Sequence, residues 1–216
     1  MKYDAAIFDM DGTVLDTIDD LTASLNHALA AEGMPAHARD EVFGFVGNGI
    51  RYLAECGVPE GTDADITDRV YRRLLEHYIE HCMDLTRPYP GIPGLLKALK
   101  DAGCRTAVVS NKNDAAVKRL TERYFSGLFA YSAGVSEGIR RKPAPDTVLA
   151  ACRALAVEPG RCVYVGDSDV DLRTAANAGM PCISVLWGFR DRAFLTAHGA
   201  QRFAETPMDV CRMILD

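Results

Sequence analysis

The chain shows two kinds of hydrophobic pattern. The apolar run Ala5 to Phe8 is bounded by turn-forming residues and predicts a buried strand. Roughly residues 16 to 82 then place their apolar side chains at helical spacing only. One such stripe repeats every four positions, through Ile66, Val70, Leu74, Tyr78 and Cys82. This block is predicted to contain helices and no strand.

The pattern changes after the proline- and glycine-rich segment 87–94, where helix and strand signals alternate. Repeated alternation of this kind is typical of a parallel sheet with helices on both faces. We therefore predict an α/β fold with a Rossmann-like parallel-sheet core, residues 1–15 and 83–216, and an inserted α-helical cap domain, residues 16–82. After the first strand, the core strands are predicted at 106–110, 129–133, 162–165 and 182–186. The core helices are predicted at 95–102, 114–123, 146–155 and 172–178. A helix, a short strand and a closing helix are predicted to end the chain.

Composition and charge narrow the choice of partners. The 216 residues are 48% hydrophobic, which is enough for a core and a smaller domain. The formal net charge of −6 argues against a nucleic-acid partner or a membrane surface. We expect a small-molecule substrate and a monomer or homodimer. An anionic substrate would then need local positive charge or a metal ion.

The cysteines and the N-terminus point to a reducing compartment. Seven cysteines occur without a Cys-x-x-Cys pair, which is not a disulfide framework or a zinc site. The N-terminus lacks the basic region and long apolar run of a signal peptide. A cytoplasmic location is predicted. Small buried side chains are expected at Cys104, Cys152, Cys162, Cys182 and Cys211.

Candidate chemistry begins at the end of the first strand. Asp9 and Asp11 follow the apolar run directly, at the strand edge where open α/β sheets bind ligands. An extended backbone through Met10 would point both carboxylates to the same side. Because like charges at this spacing repel, a cation beside them is the natural remedy.

Three more polar clusters follow predicted strands or open predicted helices. They are Ser110-Asn111-Lys112, Lys142-Pro143 and the segment 166–171, and a parallel sheet would bring them to one edge. Together they suit phosphoryl transfer. Carboxylates such as Asp9 and Asp167 offer the oxygens that Mg²⁺ prefers. The hydroxyls of Ser110 and Thr13 would bind phosphate oxygens, Lys142 would neutralise charge, and a carboxylate would attack phosphorus.

These residues resemble, in order, the four motifs of the haloacid dehalogenase superfamily of phosphohydrolases. The matching segments are Asp9-x-Asp11-Gly12-Thr13, Ser110-Asn111, Lys142-Pro143 and Gly166-Asp167-x-x-x-Asp171. The helical insertion is similar to that of the phosphoglycolate phosphatase-like branch. The resemblance implies Mg²⁺ as cofactor and a small phosphorylated metabolite as substrate.

The same resemblance implies a role for each motif residue. Asp9 would be the nucleophile and a metal ligand, and Asp11 the general acid and base with its carbonyl on the metal. Asp167 would ligate the metal and Asp171 would support it. Ser110, Asn111 and Lys142 would hold the phosphoryl group.

Other activities of similar cores stay open at this point. Dehalogenases lack the second aspartate, so Asp11 argues against that reaction. A β-phosphoglucomutase-like enzyme would use a cap histidine where this chain has Leu21. Pyrophosphatase activity or a non-catalytic anion-binding module remain alternatives, although a binding module does not need both Asp9 and Asp11.

The cap offers weaker signals. The Gly47-Asn48-Gly49 turn with Arg51 could bind a substrate carboxylate, or the turn could simply break a helix. His77 and His81 lie one helical turn apart, which fits an exposed polar face better than a metal pair. Thr17 and Asp20 have the spacing of a capping box with Asp in place of Glu. Since core groups recognise only phosphate and metal, the cap is predicted to select the substrate.

Overall fold

The computed structural model describes all 216 residues and divides into two compact units. The first unit consists of Met1–Leu15 and Pro88–Asp216, and the second of Asp16–Arg87. A two-stranded sheet, β2 (Leu15–Asp16) with β3 (Arg87–Pro88), contains both points where the chain passes between the units. No helix combines the length and the apolar character needed to span a bilayer.

The first unit contains a six-stranded sheet in which every pair of neighbours is parallel. Its order is β5-β4-β1-β6-β7-β8, so the first strand lies in the interior of the sheet. The four side chains of β1 have no solvent exposure, as a continuous apolar run predicts. The strands are β1 (Ala5–Phe8), β4 (Arg105–Asn113), β5 (Tyr131–Val135), β6 (Cys162–Gly166), β7 (Cys182–Val185) and β8 (Phe203–Ala204).

Helices pack on both faces of this sheet, and the predicted α/β fold is confirmed. Ala5 and Ile7 belong to one buried cluster with side chains of α7 and α8. Phe8 points to the opposite face, where its ring meets Phe129, which in turn meets Phe125 of α6. The helices of this unit are α5 (Ile92–Asp101), α6 (Asp114–Phe125), α7 (Asp146–Leu155), α8 (Asp169–Asn177), α9 (Arg192–Ala197) and α10 (Pro207–Leu215).

The second unit is helical, as its pattern predicts. Helices α1 and α4 form its main packing pair and bury Leu25, Leu29, Leu74 and Tyr78. His77 stacks its ring on His27 and His81 with centroids 4.1 and 4.2 Å apart. The helices are α1 (Ile18–Ala31), α2 (Arg39–Val42), a 3₁₀ turn (Phe43–Phe45), α3 (Ile50–Gly57) and α4 (Ala64–His81).

Asp20 does not form the predicted capping box with Thr17, whose side chain makes no capping bond. Its carboxylate instead accepts hydrogen bonds from the backbone N–H groups of Leu85 and Thr86, both at 2.9 Å. These bonds hold the segment after α4 to α1. The second unit therefore ends at Arg87, whereas the sequence placed its end at Cys82.

Most cysteines lie where the hydrophobic pattern put them. All seven are free thiols, and Cys104, Cys152, Cys162 and Cys211 are buried. Cys182, predicted to be buried, is partly exposed at the start of β7. The sulfur atoms of Cys152 and Cys162 lie 3.8 Å apart between α7 and β6.

Candidate active site

The loop after β1 aims two carboxylates at the edge formed by the strand ends. Asp9 is buried, and its backbone N–H bonds to the carbonyl of Val165, which continues the pairing of β1 with β6. The Met10 carbonyl accepts the N–H groups of Val14 and Leu15, both at 3.0 Å, and so closes the loop. Gly12 has a φ of +82°, and a β-carbon there would overlap the carboxylate of Asp167. Only glycine satisfies both conditions.

Lys142 brings the motif carboxylates together. Its ammonium lies 2.7 Å from Oδ1 of Asp9 and 2.8 Å from Oδ1 of Asp171, and its side chain is 2% exposed. It also donates to the hydroxyl of Tyr164 at 3.0 Å. The buried ammonium is therefore shared by the predicted nucleophile and a second carboxylate.

Asp171 has both oxygens occupied by donors of the protein. Oδ1 accepts from Lys142 and from the Tyr164 hydroxyl, the latter at 3.1 Å. Oδ2 accepts from the backbone N–H and the hydroxyl of Ser168, at 3.1 and 2.6 Å. Ser168 and Asp171 form the capping box at the start of α8. This carboxylate thus fixes Lys142 and the first turn of the helix.

The side chain of Asn111 binds the backbone of Lys142. Its side-chain amide donates to the carbonyl of Lys142 at 3.0 Å and accepts the N–H of Lys142 at 2.7 Å. The following peptide bond, Lys142–Pro143, is cis. In this structure the side chain predicted to hold a phosphoryl group positions the loop that carries the lysine.

Asp167 is held by Thr13, which the sequence analysis assigned to phosphate binding, and by a segment after β7 that it did not identify. The Thr13 hydroxyl donates to its Oδ1 at 3.0 Å, and the N–H of Phe189 donates to its Oδ2 at 2.8 Å. Trp187 donates its indole N–H to the carbonyl of Thr13 at 3.0 Å. A β-carbon on Gly188 would overlap the side chain of Asp167 and the carbonyl of Gly12. For this part of the chain the sequence predicted only the strand 182–186 that precedes it.

Asp11 faces the end of β4. The Ser110 hydroxyl donates to its Oδ2 at 3.3 Å, and the ammonium of Lys112 lies 3.1 Å from its Oδ1. The two carboxylates of the first motif therefore have different lysines as partners. The sequence analysis named Lys112 within its cluster but gave it no role.

Burial and neighbouring charges shift the pKa values of Asp9, Asp167 and Lys142. Desolvation, followed by the charge of Asp171, raises the pKa of Asp9 well above its ordinary value. The same two causes raise the pKa of Asp167 to about 7. The pKa of Lys142 is raised well above its ordinary value: burial opposes this, but the charges of Asp171 and Asp9 outweigh it. One buried ammonium thus faces three buried carboxylates.

A divalent cation fits this donor set. Asp9, Asp167 and Asp171 each offer a carboxylate oxygen, and these atoms all lie within 4.8 Å of one another. The donors are oxygens only, which is the preference of Mg²⁺ and not of zinc. The excess negative charge around Lys142 would be relieved by such an ion.

The predicted cap residues all lie in the helical unit. Gly47 and Gly49 have φ values of +121° and +88°, and Gly49 caps the N-terminus of α3. Asn48 lies between them. The guanidinium of Arg51 is 3.1 Å from Glu55 and 2.6 Å from Asp68, and it stacks on Tyr71. Arg51 is therefore an ion-paired side chain within its own unit.

Comparison with known proteins identifies the family. The family model for haloacid dehalogenase-like hydrolases matches residues 6–185. The chain belongs to the haloacid dehalogenase-like hydrolases. The match runs from β1 to β7 and so includes all four motifs and the whole helical insertion.

Individual members of the family are similar over nearly the full chain. A phosphoglycolate phosphatase from Agrobacterium fabrum is 38% identical over 86% of this chain and 82% of that protein. An N-acetylmuramic acid 6-phosphate phosphatase from Pseudomonas aeruginosa is 32% identical over 97% and 94%. The crystal structure of a protein described as a putative phosphoglycolate phosphatase, from Lactobacillus delbrueckii subsp. bulgaricus, is 38% identical, with a TM-score of 0.96 over 100% of this chain and 99% of that chain.

Proposed function

We propose that this hydrolase is a Mg²⁺-dependent phosphatase that cleaves a small phosphomonoester through an aspartyl-phosphate on Asp9. The observation that carries the proposal is the set of buried oxygens from Asp9, Asp167 and Asp171 around the single ammonium of Lys142. Asp11, two positions after the nucleophile, gives the site a second carboxylate for proton transfer. A non-catalytic anion-binding module has no use for this pair.

The metal would be held by Asp9, Asp167 and the backbone carbonyl of Asp11. We assign Asp171 the supporting role, because each of its oxygens already accepts two hydrogen bonds from the protein, whereas each oxygen of Asp167 accepts one. Bound Mg²⁺ would neutralise phosphoryl charge and orient the phosphoryl group for in-line attack. Thr13 and the N–H of Phe189 fix the Asp167 carboxylate on the other side.

In the first half-reaction, a carboxylate oxygen of Asp9 attacks phosphorus and the bond to the leaving-group oxygen breaks. Lys142 stays protonated and lowers the cost of bringing an anionic phosphoryl group beside buried carboxylates. The Ser110 hydroxyl donates to Asp11 in this structure and would have to turn to donate to a phosphoryl oxygen. Protonated Asp11 gives its proton to the leaving alkoxide and becomes a carboxylate.

In the second half-reaction, the Asp11 carboxylate takes a proton from a water molecule. That water attacks the phosphorus of the aspartyl-phosphate, which releases inorganic phosphate and regenerates the Asp9 carboxylate. Asp11 ends protonated, as it began, so the cycle balances. The same residue serves both steps in opposite senses, as microscopic reversibility requires.

Phosphoglycolate is the substrate that we propose first, since a phosphoglycolate phosphatase at 38% identity covers most of the chain. N-acetylmuramic acid 6-phosphate, named for the Pseudomonas aeruginosa relative, is the second candidate. Both molecules carry a carboxylate as well as a phosphate. A charged group of the helical unit, with Arg51 as the named candidate, would recognise that carboxylate.

The test is a phosphate-release assay on wild type and Asp9→Asn with p-nitrophenyl phosphate, the two named substrates, β-glucose 1-phosphate and pyrophosphate. We expect Mg²⁺-dependent release that EDTA abolishes and that Asp9→Asn lowers by several orders of magnitude while circular dichroism is unchanged. Turnover by the folded variant, or full activity in excess EDTA, would defeat the proposal. Formation of glucose 6-phosphate from β-glucose 1-phosphate, measured by a coupled dehydrogenase assay, or preference for pyrophosphate would replace it with an alternative activity.

The remaining expectations stay predictions. They are a small phosphorylated metabolite as the only class of partner, no nucleic acid or membrane partner, a monomer or homodimer, and a cytoplasmic location. Size-exclusion chromatography with light scattering measures the oligomeric state directly.

A further inference from the structure

Lys112 is a buried lysine that the proposed reaction does not use. Its side chain is 7% exposed, and its ammonium lies 3.1 Å from Oδ1 of Asp11, whose side chain is 14% exposed. Lys142 contacts Asp9 and Asp171 instead. Burying a lysine is costly unless it is paired, so a second buried lysine with a different carboxylate calls for an explanation.

Local backbone structure directs this side chain. The pairing of β4 with β5 is regular up to Val109 and shifts register before Asn113. Such irregularities bend a strand and redirect side chains near active sites. Gly134 of β5 permits the shift, because a β-carbon there would overlap the carbonyl of Lys112. The backbone of the segment that carries Lys112 is thus packed against β5.

Ser110 and Lys112 together hold both oxygens of Asp11. The N–H of Lys112 donates to the Ser110 hydroxyl at 3.2 Å, and that hydroxyl donates to Oδ2 of Asp11 at 3.3 Å. The Lys112 ammonium binds Oδ1. One short segment at the end of β4 therefore fixes the orientation of the carboxylate from two sides.

We propose that Lys112 is a positioning residue that holds the Asp11 carboxylate at the place from which Asp11 exchanges protons with the leaving group and the attacking water. This inference rests on the proposed phosphatase mechanism. Proton transfer needs donor and acceptor within hydrogen-bond distance, and a displacement of about 1 Å can cost on the order of 10²-fold in rate. A freely rotating Asp11 would spend most of its time outside that distance. Lys112 would act through Asp11 and not on the phosphoryl group itself.

The test compares leaving groups. Lys112→Met keeps the length and apolar stem of the side chain but removes the ammonium. We expect the single-turnover rate of alcohol release from an alkyl phosphate to fall about 10- to 100-fold, because its leaving alkoxide needs the proton from Asp11. Single-turnover release of p-nitrophenolate, which needs no proton, should change much less. Lys112→Arg should recover part of the loss, and Lys97→Met, which removes an exposed paired lysine of α5, should change neither substrate.

A double mutant separates positioning from direct phosphate binding. In an Asp11→Asn background, Lys112→Met should cause no further loss on the alkyl phosphate. The inference is overturned if Lys112→Met is as active as wild type, if aryl and alkyl phosphates lose equally, or if the loss persists in the Asp11→Asn background. Should Lys112→Met fail to fold, Lys112→Gln undergoes the same comparison. Failure of the phosphatase mechanism would show separately, as activity in Asp9→Asn.

Discussion

Replacement of Lys142 by methionine tests whether a buried ammonium holds the carboxylate cluster together. Methionine matches the length of the lysine stem and removes only the charge and its hydrogen bonds. Asp9 and Asp171 would each lose an ion pair, of 2.7 and 2.8 Å, at a position that is 2% exposed. Tyr164 would keep a partner, because its hydroxyl also donates to Asp171.

The expected cost follows from burial. Removal of one partner from a buried ion pair typically costs about 3–5 kcal/mol, because a charge is left uncompensated in a medium of low polarisability. For a chain of this length each kcal/mol shifts the melting temperature by roughly 2–4 °C. Lys142→Met should therefore melt about 6–20 °C below wild type in metal-free buffer at neutral pH.

The loss should depend on pH in a definite direction. Lys142 is the first group that lowers the pKa of Asp9, so its removal raises this pKa further above the ordinary value of 3.8. A carboxyl group with a raised pKa in the folded state stabilises the fold most below its unfolded pKa. That contribution is lost as pH rises through the folded pKa. The deficit of Lys142→Met should thus be small near pH 5 and largest at pH 8.

Thermal unfolding by circular dichroism in EDTA, at both pH values, measures this effect. The control is Lys97→Met, which breaks the exposed pair with Asp101 and should cost at most about 0.5 kcal/mol at either pH. An unchanged melting temperature for Lys142→Met would contradict the reasoning. So would a deficit of the same size at both pH values.

Three further variants test other parts of the account. Asp11→Asn should lower the single-turnover rate of leaving-group release by on the order of 10²-fold for alkyl phosphates and much less for p-nitrophenyl phosphate; equal losses in that step would assign Asp11 a structural role. Gly188→Ala should lower the free energy of unfolding by about 1–3 kcal/mol and weaken Mg²⁺ binding, because the added methyl group overlaps Asp167. The control is Gly160→Ala, whose methyl group meets nothing within 4 Å and should have neither effect. Arg51→Ala should weaken phosphoglycolate turnover by ~10-fold with p-nitrophenyl phosphate as the unaffected control, and a parallel loss on both would refute that role.

The sequence predicted the structure well wherever the spacing of apolar residues fits only one kind of element. Apolar runs ending in polar residues predicted the core strands and the shared edge at which Asp9, Lys142, Asp167 and Asp171 meet. This worked because parallel strands all present their carboxyl ends on the same side. The helical block was equally clear, because its apolar stripes repeat only at helical spacing.

Contacts between distant parts of the chain were not predicted, because they leave no pattern of apolar residues in the sequence. Asp20 looked like part of a helix cap, yet it binds N–H groups far along the chain and so moves the end of the second unit to Arg87. The backbone N–H of Phe189 binds Asp167. A backbone contact of this kind cannot be predicted from the identity of the side chain. Lys112 lies where β4 shifts its register against β5, and no hydrophobic pattern predicts that its ammonium meets Asp11.

The central claim is that Asp9 carries the phosphoryl group. The most direct measurement is rapid acid quench of Asp11→Asn during turnover of p-nitrophenyl phosphate with Mg²⁺, followed by peptide mass spectrometry. Loss of the general base should slow hydrolysis of the intermediate more than its formation. The account predicts a burst of one equivalent of p-nitrophenolate and one added phosphoryl group, labile to hydroxylamine, on the peptide that contains Asp9. Turnover without a burst, or a phosphoryl group on another residue, would contradict it.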